Sequence, residues 1–189
     1  MTKKRRLPLG ARQRLALQSP SVPSASSAPS ISLDLAHLAG MQIANMNEIT
    51  LVLLKPDCLA KRHCGDVIKR FEQAGLEIVG CKMMFLSEQL LAEHYAHILD
   101  KPFYPDVQAF MQSSPTIAIA LSGENAVALV RELMGPTDPL KAVPGTIRRD
   151  FGEDVKSNIV HGSDSPENAL AELKRFFSDD ELFTTSLKR

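Results

Sequence analysis

Apolar residues fall in short blocks divided by turn formers, and each block has the period of one element. Ile49–Leu54 (ITLVLL) is an unbroken apolar, β-branched run, which predicts a buried strand. Lys55-Pro56-Asp57 ends it, because proline has no N–H for a ladder. Gly65–Ala74 places Val67, Ile68 and Phe71 at helical spacing, and Gly75 suits the position just past the helix end. Leu76–Phe85 predicts a second strand. Ser87 is a good N-cap for a helix carrying Leu90, Leu91, His94, Tyr95 and Ile98 on one side. Lys101-Pro102 breaks that helix, and Asp106–Met111 is helical again. Pro115–Leu121 (PTIAIAL) predicts a third strand. Asn125–Met134 predicts a helix with Val127, Leu129, Val130 and Leu133 as its stripe, closed by Gly135. Residues 135–157 are rich in Gly, Pro, Thr and Asp and read as one long loop, a kind that is usually functional or disordered. Asn158–Val160 is a short strand with His161 at its end, and Gly162–Pro166 a turn. Pro166 suits the first position of a last helix to Phe177, with Leu170, Leu173 and Phe177 inward.

With the middle helices taken as an insertion, this order contains β-α-β-β-α-β, the ferredoxin-like split unit. The expected fold class is an α/β (α+β) sandwich: a four-stranded antiparallel sheet with helices packed on one face.

Charge divides the chain differently. The 22 basic and 22 acidic residues cancel, yet six basic residues stand in the first 14 positions and no acidic one precedes Asp34. Residues 34–189 therefore carry a net charge of −6. Ser or Pro fill ten of the 14 positions from Ser19 to Ser32, too little to bury against the entropy of ordering. Residues 1–45 are expected to be a disordered extension, with a short amphipathic helix at Leu33–Ile43, and residues 46–189 the folded domain. A transit peptide, a retained tail and a start codon placed too far upstream all suit the extension, so an organelle stands beside the cytoplasm as a location. No run of 18 apolar residues exists, so no membrane span is expected. The acidic body does not suit broad neutralisation of nucleic-acid phosphates. Cys58, Cys64 and Cys81 cannot all pair, and with His63 they match no zinc spacing.

No phosphate-cradling glycine loop, nucleophile elbow or zinc-protease helix motif is present. A phosphate site would instead need scattered cations. Lys55 ends the first strand, Arg131 lies near the end of a helix, and Arg148 lies in the long loop; Thr137 and Asn158 add neutral hydrogen-bonding groups. His161 stands at a strand end, where an imidazole can be an exposed nucleophile. Each also has a plainer reading: a solvated charge for the three cations, a structural residue for a lone strand-end histidine. His94 and His97 read as packing and surface, and Tyr95 and Phe103 as core aromatics or covers for a ligand base.

The string NIVHGSDS at 158–165 resembles the active-site signature of the nucleoside diphosphate kinases. TLVLLKPD at 50–57, HYAHILDKPFY at 94–104, RELMGPTDP at 131–139 and PGTIRRDF at 144–151 resemble further segments of that family, in its order and spacing. The resemblance implies that the γ-phosphoryl group of a nucleoside triphosphate passes to His161 and then to a different nucleoside diphosphate, by a ping-pong route. It implies Lys55, Arg131 and Arg148 on the phosphates beside Thr137, Asn158 at the sugar, Phe103 stacked on the base with Val107 on the other side, and Tyr95 near Lys55. Glu172 would orient the histidine and Ser163 support it. Mg²⁺ would ride on the phosphates, and the chain would form a homo-oligomer, tetramer or hexamer, with Pro139–Pro144 at an interface. A catalytically silent nucleotide-binding or scaffold protein of the same fold is the competing reading. Two places depart from the family pattern: CLAKRHC at 58–64, where a glycine- and valine-rich turn is usual, and Arg149, where a small residue is usual.

Overall fold

A computed structural model describes residues 47–183. The expected extension at 1–45, with its Leu33–Ile43 helix, lies outside the described residues. Four strands are present among them: β1 (Asn47–Leu54), β2 (Glu77–Met84), β3 (Thr116–Glu124) and β4 (Val160–Gly162). They form one sheet in the order β2-β3-β1-β4, every neighbouring pair antiparallel. The helices are α1 (Pro56–Ala60), α2 (Cys64–Gln73), α3 (Glu88–His94), α4 (Tyr104–Gln112), α5 (Ala126–Met134), α6 (Ile147–Phe151) and α7 (Pro166–Phe176).

Helices cover both faces of the sheet, where the pattern predicted one. Leu51 and Leu53 of β1 pack with Leu91, Leu173 and Phe176, on the side of α3 and α7. Val52 and Leu54 pack with Val67, Phe71, Val130 and Met134, on the side of α2 and α5. The unbroken run ITLVLL already carries this information, because an antiparallel strand with one wet face alternates apolar and polar residues. Gly162 of β4 sits where α5 comes closest: a Cβ there would lie 2.6 Å from Met134 Sδ. Gly75 takes φ +89° just past α2, as expected.

Two short helices escaped the sequence pattern. Pro56 ends β1 and also starts α1, a position where its missing N–H costs nothing. Helix α6 interrupts the predicted 135–157 loop; one five-residue turn offers only Ile147 and Phe151 as a period, too few to detect. The N-terminus of α5 is capped from a distance, Val127 N–H donating to Glu48 Oε2 of β1 at 3.0 Å. No helix of the described residues is long and apolar enough to cross a membrane.

Candidate active site

The strand carrying His161 starts two residues later than expected. Ile159 has φ +76°, a severe conformation for a β-branched residue. Around it Val160 N–H donates to the Asn158 carbonyl at 2.8 Å, closing a three-residue turn. Two bonds from β1's end hold this shape. Ile159 N–H donates to Asp57 Oδ2 at 2.9 Å, and Lys55 N–H donates to the Ile159 carbonyl at 2.9 Å. The ladder can begin only after this turn, so His161 is the middle of β4 rather than its end. It stands opposite Leu53, which places its side chain on the α3 and α7 side of the sheet.

There His161 Nε2 lies 3.1 and 3.2 Å from the two carboxylate oxygens of Glu172, on α7. Ser163 Oγ–H donates to Glu172 Oε2 at 2.6 Å. Burial would raise the Glu172 carboxyl, but the His161 and Ser163 hydrogen bonds and the His161 charge overcome it and hold the group at about 2. An ionised Glu172 accepts from Nε2–H, which leaves the lone pair on Nδ1. His94, at the end of α3, is wedged edge-on against His161 with ring centres 4.5 Å apart. Its Nδ1 lies 3.7 Å from Glu172 Oε1, and burial, then His161, push its pKa down to about 3. His94 is thus a packed, neutral wall of the site, in keeping with the packing expected from sequence; the carboxylate beside it comes from a helix 78 positions later.

A cavity of about 740 Å³ opens in front of His161. Lys55, Tyr95, Val107, Arg131, Thr137, Arg148, Asn158, His161 and Glu172 all line it. Phe103 does not: it stands exposed at the start of α4, one turn before Val107, its carbonyl accepting from Val107 N–H at 3.2 Å. Ser163 lies behind Glu172, fully buried.

Two of the cations are held out of water. Lys55 Nζ donates to the Lys156 carbonyl and to Asn158 Oδ1, the latter at 2.8 Å, and lies 5.2 Å from the centre of the Phe110 ring. Burial draws its pKa down to about 8, with Asp57 opposing and Arg148 adding. Arg148 donates to the Gly135 carbonyl at 3.0 Å and the Val160 carbonyl at 2.9 Å, while its buried Nε has no partner in the protein. Burial, then Arg131, bring Arg148 down to about 10. Asn158 joins the two sides of the cavity, its amide donating to the Thr137 carbonyl at 2.9 Å and the Val155 carbonyl at 2.8 Å. Positive groups held buried and close together make a site that gains from an anion.

Sequence reasoning missed Phe110, Arg175 and Asp57. Phe110 lines the cavity three residues after Val107, a spacing on α4 that could have revealed it. Arg175 reaches His94 Nδ1 at 3.5 Å, and Asp57 acts through the backbone; no pattern in the sequence marks either role.

Comparison with known proteins bears on this geometry. Residues 48–182 match the sequence model of the nucleoside diphosphate kinases. The nucleoside diphosphate kinase of Parabacteroides distasonis is 47% identical over 141 residues, covering 75% of this chain and 92% of that protein. That of Coxiella burnetii is 48% identical over 136 residues, covering 72% and 98%. Among solved structures, a halophilic nucleoside diphosphate kinase from Halobacterium salinarum in complex with CDP superposes with a TM-score of 0.73 at 42% identity, covering 75% of this chain and 95% of that one.

The clamp on Ile159 is testable by denaturation. Asp57→Ala strands a buried N–H and should lower stability by about 2 kcal/mol, while Asp57→Asn keeps an acceptor oxygen and should cost less than about 1 kcal/mol. Equal losses in urea unfolding would show that the bond to Ile159 is not what Asp57 contributes.

Proposed function

Because the chain belongs to the nucleoside diphosphate kinase family and is a phosphotransferase of that kind, we propose that His161 carries its transferred phosphoryl group. The observation that supports this reading is the Nε2–Glu172 hydrogen bond, which leaves Nδ1 as the free nucleophilic nitrogen on a wall of the cavity. In the first half-reaction Nδ1 forms a bond to the γ-phosphorus of a nucleoside triphosphate. The bond from that phosphorus to the β,γ-bridging oxygen breaks, and the diphosphate leaves with the electron pair. In the second half, a terminal oxygen of another diphosphate attacks the phosphohistidine and Nδ1 is released. Glu172 stays ionised throughout, holds the Nε2 proton and balances the charge that grows on the ring. Ser163 and His94 keep Glu172 and the imidazole in place.

Phosphoryl transfer depends on alignment and charge rather than on covalent help from the protein. Lys55, Arg131 and Arg148 serve the β- and γ-phosphates, with Thr137 beside them; the partnerless Arg148 Nε suits a phosphate oxygen. Asn158 Oδ1 keeps a spare lone pair for a sugar hydroxyl. Val107 on α4 and the exposed Phe103 one turn before it offer apolar faces to the base, with Tyr95 lining the same cavity. Stacking reads no base edge, which accords with use of several bases.

The family's reaction uses a divalent cation, and we assign it to Mg²⁺ held on the nucleotide. Among the described residues one group of potential metal donors exists, His94, His161 and Glu172, and in it His161 Nε2 and Glu172 already bond to each other. Mg²⁺ prefers oxygen ligands and keeps water, so it fits as a companion of the phosphates with the Asp164 carboxylate on the same cavity wall. When bound it neutralises phosphate charge and aligns the transferring group. Exposed Leu140 and Val143 between Pro139 and Pro144 support the expected homo-oligomer, tetramer or hexamer.

Incubation with Mg²⁺ and γ-labelled ATP should give an acid-labile phosphoenzyme. His161→Ala should abolish it and reduce transfer by roughly 10⁴-fold or more. A wild-type protein that binds ATP yet forms no phosphoenzyme would establish the catalytically silent reading instead.

The pH profile tests Lys55. In the free protein its ammonium is fully present well below about 8 and is lost as pH rises through that value. kcat/KM for ATP reports the free enzyme, so it should fall above pH of about 8. Lys55→Arg should move that limb beyond pH of about 10 at a lower plateau; an unmoved limb would assign it to another group.

A further inference from the structure

The CLAKRHC segment, which the phosphotransfer chemistry leaves unused, brings two thiols together. Helix α1 ends with Arg62 at φ +62°, His63 N–H donating to the Cys58 carbonyl and Arg62 N–H to the Leu59 carbonyl, each at 3.0 Å. This is the Schellman closure, which reverses the chain within three residues. Its geometry lays Cys64, the first residue of α2, over Cys58 of α1. The two sulfurs lie 3.9 Å apart, in van der Waals contact. Cys58 is fully buried and Cys64 is partly open to solvent.

We propose that Cys58 and Cys64 form a reversible redox pair that closes to an intramolecular disulfide when the protein meets a hydroperoxide. The roles follow from access. The Cys64 thiolate attacks the terminal peroxide oxygen, the O–O bond breaks, and Cys64 becomes a sulfenic acid as the alkoxide leaves (hydroxide when the oxidant is hydrogen peroxide). The Cys58 sulfur then attacks the Cys64 sulfur and forms the S–S bond. The sulfenic hydroxyl leaves with the Cys58 proton as water, so two thiols are oxidised and one peroxide is reduced. A disulfide needs sulfurs about 2.05 Å apart. Side-chain rotation within the turn covers part of the remaining distance, and a small shift of α1 toward α2 covers the rest. Burial, then the neighbouring Cys64, raise the pKa of the Cys58 thiol, in keeping with its role as the second sulfur to react.

The pair is wired to the phosphate end of the cavity. Cys58 N–H donates to the Lys55 carbonyl at 2.9 Å, and Asp57, which clamps Ile159, is its neighbour in α1. Pulling Cys58 toward α2 therefore strains the helix that carries both. This second step rests on the phosphotransfer reading; the disulfide itself does not.

The test uses the full chain with Cys81→Ser, which removes the exposed third thiol. Stoichiometric hydrogen peroxide should consume two thiols per chain and lower the intact mass by about 2 Da, reversed by dithiothreitol. Trypsin cuts after Lys61 and Arg62, so two peptides joined by Cys58–Cys64 should appear. Cys58→Ala should stop at a dimedone-reactive sulfenic acid on Cys64, and Cys64→Ser should leave Cys58 unreacted. Oxygen added to the cysteines with no 2 Da loss, or cross-links between chains, would overturn the pair. The oxidised protein should show kcat/KM for ATP about tenfold lower, restored by reduction; ångström-scale misplacement can cost about 10²-fold. Unchanged kcat/KM with the disulfide formed would overturn the link to the site. Absence of phosphotransfer in the reduced protein would instead count against the family chemistry alone.

Discussion

The site depends on one residue held against its backbone preference. Ile159 takes a positive φ that a β-branched side chain avoids, at a cost of order 1–3 kcal/mol. That cost persists because both its amide and its carbonyl are claimed from the end of β1, by Asp57 and by the Lys55 N–H. The side chain is fully buried and locked among α2, α5 and α6 residues. Everything on either side follows from this pinned point. Asn158 faces Lys55 and the Thr137 carbonyl, and two residues later His161 enters the ladder beside Leu53 with its ring toward Glu172.

Around that point the protein sorts its charges by burial. Lys55 and Arg148 are nearly buried and lean on carbonyl oxygens and an amide rather than on carboxylates of their own. Their charge remains available to an incoming polyanion, whose phosphates can replace weaker partners. The carboxylate beside His161, Glu172, is fully engaged by His161 and Ser163. An acidic protein surface and a cationic cavity are thus compatible, since the first is set by the sum of exposed charges and the second by a few buried ones.

Much of this was legible from sequence, for specific reasons. Long apolar periods placed β1, β3, α2, α5 and α7 to within a few residues, because each buries a face large enough to impose a repeat. Five segments at family spacing hold seven of the expected site residues that line one cavity, and Val107 and Glu172 follow from the same resemblance. The failures share a cause. Helices α1 and α6 are single turns that bury one or two side chains, below any detectable period. The helices on the second face were hidden because the reading assumed a wet side. The place of His94 beside His161 is not legible because its carboxylate neighbour is distant in sequence, and the start of β4 is not because the strained turn at Ile159 is set by bonds from β1.

The amino-acid sequence by itself determined the longer elements, their order and the kinds of side chain available for phosphoryl transfer, because local period and residue chemistry suffice for those. Tertiary structure alone decided which nitrogen of His161 is free, why Lys55 is poised near neutrality, where Phe103 stands and that Cys58 meets Cys64. Each of those depends on distances between groups that the chain holds apart until β1, β4 and their covering helices pack, and burial then sets the strength of every charge and hydrogen bond among them.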